Sequence, residues 1–218
     1  MPGTLSKLPY VSLACGSTSL LFYCFPSVLN SLLPQPTDAS PNALRVLSTL
    51  VNTSFSCLFG SSAWVFFVLS PLLKKYVSRW KNAELQLTQY QIFYCASTVL
   101  SATLLGTVCH MGMGHSRLHV AAAVSVIGNL VNSCVIMPQL QSLHDTRRAL
   151  EEQLGIDEVD SAETAAEMAR RATRGGDGDK AAAGAEYYDV VRAFKIQKTV
   201  GMAVGILSFS ALFPFLVS

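Results

Sequence analysis

The stretch Cys109–His119, CHMGMGHSRLH, gathers three of the chain's four histidines and two of its six methionines. Thioether and imidazole groups are ligands that suit copper. His115 and His119 are four residues apart, so both lie on one face if a helix starts there. A copper site would draw on His110, Met113, His115 and His119. The same stretch also holds Gly112 and Gly114, as a tight turn between two helices requires, and a bilayer boundary is wet enough for histidine. The turn is the leading reading. A copper- or small-solute-handling site is the alternative, and no bound cofactor is expected.

Other chemistry is thinly represented. Serines abound, but none lies in G-x-S-x-G, and neither H-E-x-x-H nor a phosphate-cradling glycine loop occurs. No catalytic residues are expected, and the chain reads as a non-enzyme. Its six cysteines form no C-x-x-C pair and behave as small buried hydrophobes. Asn129 and Asn132 stand three apart and share a helix face, and Asn52 lies in an earlier apolar run. Amides of this kind in a membrane helix bond across to neighbours, each contributing roughly 0.6–2 kcal/mol.

The elements that carry these groups follow from where charge is missing. Half of the 218 residues are hydrophobic and 14% are charged, against about 25% in a soluble domain. No Asp, Glu, Lys or Arg occurs from Leu8 to Thr37, Val46 to Leu73, Leu85 to Ser116, Leu118 to His144 or Thr199 to Ser218. A bilayer core takes about 20 apolar residues of helix to cross, and each window suffices. The sequence predicts an all-α integral membrane protein, a bundle of about five transmembrane helices. Residues 1–39 form an N-terminal helix and linker, with the span at Leu8–Leu33. Residues 40–143 hold helices two to four, 144–186 an acidic helical arm and linker, and 187–218 the last helix. Ser40-Pro41 is a helix start, Pro71 a bend and Gly155 a stop. Asp160 and Glu163 have the spacing of a capping box. TRGGDGDKAAAGAE reads as a flexible linker, with the last helix beginning near Tyr187. Coupled transport is disfavoured, because proton relay needs ionisable groups within the spans.

Five spans place Lys74, Lys75, Arg79, Lys81, Arg192, Lys195 and Lys198 on one face of the membrane, side A, and leave Arg45 and Arg117 opposite. Side A is then the cytosol, or the matrix of a mitochondrion. The region Asp145–Asp189 carries 12 acidic and 6 basic residues and is expected to dock a partner on that side. Two small-residue pairs, Ser56/Gly60 and Gly201/Gly205, offer faces for close helix approach.

WVFFVLSPLL, from Trp64 to Leu73, and LVNSCVIMP, with Asn132 six residues before Pro138, resemble the transmembrane protein 205-like family. The resemblance runs from about Leu47 to Phe215 and implies a four-helix membrane domain of unknown function, with Leu8–Leu33 added in front. It implies no reaction, and Trp64, Asn132 and Pro138 take the part of packing and kink residues. The chain departs from the family where a histidine is usual near the start of the last helix, carrying Gln197 or Lys198 instead. The expected function is that of a non-catalytic accessory subunit of a larger membrane complex. Its partners are the lipid bilayer and other membrane subunits, with no nucleic acid. The favoured setting is a respiratory-chain or ATP-synthase assembly of the mitochondrial inner membrane.

Overall fold

A computed structural model describes residues 13, 14, 17, 41–110, 117–156, 162–175 and 178–216. Residues 13, 14 and 17 are helical; the rest of the expected first span lies outside the described residues. Five helices follow. Helix α1 runs Pro41–Ala63, widens into a π turn at Trp64–Leu69 and continues as Ser70–Tyr76. Helix α2 is Arg79–His110. Helix α3 runs Arg117–Val131, passes a second π turn at Asn132–Ile136 and ends with Met137–Leu154. Helix α4 is Ala162–Gly175, and α5 is Gly178–Ser210, followed by a 3-10 turn at Phe213–Leu216. No strand occurs among the described residues.

Four of these helices are long and apolar enough to cross a membrane: Arg45–Tyr76, Lys81–His110, Arg117–Leu154 and Gly178–Phe215. The chain is an all-α integral membrane bundle. Its outer surface carries large apolar side chains such as Val120, Ile127 and Leu207, the face that hydrocarbon solvates. Helix α2 packs between α1 and α3, α3 packs along α5, and α4 lies on α5. Phe59 stacks on Phe209, ring centroids 4.9 Å apart, which closes α1 onto α5. Buried hydroxyls bond back to their own helices, as in Thr98 Oγ1 to the Tyr94 carbonyl at 2.7 Å and Ser101 Oγ to the Ser97 carbonyl at 2.7 Å.

Both π turns sit two residues before a proline, Pro71 and Pro138. Proline lacks an N–H, and its ring crowds the carbonyl four residues back. The chain relieves this by bonding one residue further. The Ser70 N–H reaches the Val65 carbonyl and the Met137 N–H reaches the Asn132 carbonyl. A widened turn of this kind inserts one extra residue into the helix.

The arm differs from its composition. Helix α3 leaves the membrane and stops at Gly155, left-handed at φ 67°, with the Ile156 N–H closing on the Glu151 carbonyl at 2.9 Å. Helix α5 then starts at Gly178, nine residues ahead of Tyr187, so most of the expected flexible linker is helix. Small side chains are the reason. A Cβ on Gly184 would lie 2.9 Å from the Ala169 carbonyl oxygen, so α4 and α5 pack backbone to backbone. Leu150, Ile156, Ala165, Ala169 and Tyr187 form a core of their own outside the membrane. The chain itself holds the arm in place.

Candidate functional site

The residues singled out by type scatter. His110 ends α2 and His119 is buried in the first turn of α3, while Met113 and His115 lie outside the described residues. Among the described residues no three His, Cys, Asp or Glu side chains group around a metal-sized space. Ser56, Gly60 and Trp64 face outward, and a Cβ on Gly60 would meet nothing within 4 Å. Pro138 is exposed. Asn129 is buried and its Nδ2 donates to Ser125 Oγ at 3.4 Å. Asn132 is fully buried on the second π turn, with neither amide atom hydrogen-bonded. Gly201 and Gly205 are buried where α5 meets the other spans. A Cβ on Gly201 would lie 3.0 Å from Ile136 Cγ2 and 3.3 Å from Asn132 Oδ1. One on Gly205 would lie 2.7 Å from the Tyr94 hydroxyl.

The residues that do converge are others. Toward side A, α2, α3 and α5 part around a cavity of about 170 Å³. Gln86, Tyr90 and Tyr94 project from α2, Met137, Leu140 and Arg147 from α3, and Phe194, Lys198 and Gly201 from α5. The deep end is apolar. At the outer end the Lys198 ammonium, partly buried, donates to Gln86 Oε1 at 3.0 Å. Asn82, on the first turns of α2, lines the same end with its Oδ1 buried and unbonded. Arg147 Nε donates to Glu151 Oε1 at 2.9 Å, and the Tyr187 hydroxyl donates to that same carboxylate oxygen at 2.9 Å. The wall is tied to α1 by a 2.7 Å contact between Ser70 Oγ and the Tyr90 hydroxyl.

Ammonium, guanidinium, amide and phenol groups bind and orient polar groups. Below them, around Tyr94, Asn129, Gly205 and Ser208, the bundle leaves a void of only about 10 Å³, which holds at most one water. The cavity therefore ends inside the bundle.

The sequence carried little signal for this cluster. Gln86 and Lys198 are 112 residues apart, and each reads alone as an ordinary polar residue at a span boundary. The only pointer was local: Lys198 is the last charge before the final apolar run.

Residues 53–149 match the family model of a domain of unknown function (DUF4149). The match takes in α1 from its fourth turn onward, all of α2 and most of α3, under half of the chain. Both motifs that carry the resemblance described above, Trp64–Leu73 and Asn132–Pro138, fall inside it, and both contain a π turn and its proline. The arm and α5 lie beyond it. No curated protein and no solved structure matches the chain.

Proposed function

We propose that this chain is a non-catalytic accessory subunit of a larger membrane complex, held there by the outer face of α1. The observation behind this reading is a single stripe. Ser56, Gly60, Trp64 and Phe67 follow at spacings of four, four and three, and all four are exposed. Buried residues make up 17% of the most apolar window of α1 and 22% of that of α5, against 61% for α2 and 56% for α3. A small-xxx-small step beside two large aromatics gives a partner helix both close backbone approach and packing area.

The test is native electrophoresis of mildly solubilised membranes, with Gly60→Leu as the probe. The wild-type chain co-migrates with a large assembly, and Gly60→Leu runs free of it. The isolated variant should keep its thermal stability to within about 0.5 kcal/mol, as for a surface position. Migration of the wild type alone removes the reading.

Two finer readings belong with it. The likeness to the transmembrane protein 205-like family rests on the sequence motifs Trp64–Leu73 and Leu130–Pro138 alone. The mitochondrial inner membrane is the setting we favour for it, by analogy with assemblies that collect small helical subunits; the basic residues on side A fit a matrix or a cytosolic face alike. Fractionation that finds the chain in another membrane removes the second.

A further inference from the structure

We propose that the side-A cavity between α2, α3 and α5 is a binding site for the headgroup of an anionic phospholipid. The phosphate accepts from the Lys198 ammonium and from the amide nitrogens of Gln86 and Asn82, and an acyl chain runs past Met202 into the bilayer. The inference stands apart from the accessory-subunit reading and requires no partner protein.

Charge carries it first. Lys198 is partly buried, and its bonded partner is a neutral amide, Gln86. A cation withdrawn from water without a counter-charge is costly, and an anion at bonding distance offsets that cost. Arg147 lines the same cavity, but its Nε is taken by the fully buried Glu151. Lys74, at the end of α1, adds a second positive charge near Lys198. The cavity thus has a net positive outer end built around one cation that lacks a carboxylate.

Shape and place agree. About 170 Å³ equals the liquid volume of roughly six waters, room for a phosphate group, with the rest of the lipid outside the cavity. Leu87 and Met137 line the cavity below the polar end. Met202 is both a lining residue and 43% exposed on the outer surface, so the wall leads sideways into hydrocarbon. Basic pockets between helices at this face of a membrane recognise anionic headgroups.

The test uses the full-length protein in nanodiscs of phosphatidylcholine with a minor share of phosphatidylglycerol, and native mass spectrometry of the lipids retained. Wild type and Lys198→Arg should each hold one phosphatidylglycerol in preference to phosphatidylcholine. Lys198→Gln should lose that preference by about 10-fold or more, the scale of one charge-assisted bond. Lys75→Gln, exposed at the same end of α1 but outside the cavity, should keep it. If Lys198→Gln does not fold, Asn82→Asp sets a carboxylate against the phosphate at nearly constant shape and should give the same loss. Equal retention of both lipids, or retention unaffected by Lys198→Gln and Asn82→Asp, overturns the proposal. So does protection of the lipid-free protein against heat by inorganic phosphate with no lipid retained, which would mark the site as one for a soluble anion.

Discussion

Glu151 is the one fully buried carboxylate among the described residues, and it holds three helices together. It sits on α3, pairs with Arg147 one turn earlier and accepts the hydroxyl of Tyr187 on α5, and Tyr187 packs with Ala165 and Ala169 of α4. Removing one side of a buried pair leaves the other uncompensated. Glu151→Ala should therefore cost about 3 kcal/mol, read as a lower thermal midpoint and faster tryptic cleavage at Arg170–Arg174. The glycines divide in the same way. Gly205→Ala brings a methyl to 2.7 Å from the Tyr94 hydroxyl and 3.1 Å from Phe66 Cζ, whereas Gly106→Ala meets nothing within 4 Å. Thermal unfolding in detergent should show Gly205→Ala destabilised by about 1–3 kcal/mol and Gly106→Ala unchanged or stabilised by up to about 1 kcal/mol. The sequence presented Gly201/Gly205 and Ser56/Gly60 as equivalent pairs. What separates them is which face of each helix meets its neighbours, and spacing alone does not carry that information.

At the scale of the element, the two prolines act through the turns before them. The π turn on α3 adds one residue, about 100° of helical rotation, between the Asn129/Ser125 face and the Leu140/His144 face. Both faces are buried, so the extra residue keeps the two halves of α3 in register with their neighbours. Pro138→Ala restores the missing donor and favours an ordinary turn, which rotates one half against the other. It should lower the unfolding midpoint even though alanine is the better helix former, by an amount that a propensity scale gives with the opposite sign. Pro71 and Pro138 were legible as breaks in helical pattern; the widened turns were not, because a π turn is a response to packing on both sides. The arm was misread for a related reason. Glycine, alanine and aspartate in GGDGDKAAAGAE are common to flexible linkers and to helices that touch backbone to backbone. Only the presence of α4 alongside decides between them.

For the whole molecule, the charge-free windows located the four described spans closely, since the bilayer imposes a length and excludes charge. Orientation follows from the same residues. Lys74, Arg174 and Lys198 belong to the end where α1 leaves the membrane, and Arg45 and Arg117 to the other. Sealed vesicles of known sidedness check this. A membrane-impermeant maleimide should label Arg174→Cys from side A alone and Arg117→Cys from the opposite side alone; labelling of both from one face would refute the four-span path.

Helix α5 is unbroken over 33 residues, about 50 Å of rod, and runs from the tip of the arm to the aromatic cluster at the far face. Its outer third is clamped to α4, and Gly205, five residues before its end, lies against Tyr94. It also packs along α3, so the arm and the membrane-buried half are parts of one continuous element. Lys198 lies on this same rod, joined to the arm by unbroken helix. The arm and one wall of the cavity are thus a single piece of helix, so a substitution that unseats α4 should be felt at Lys198 as well.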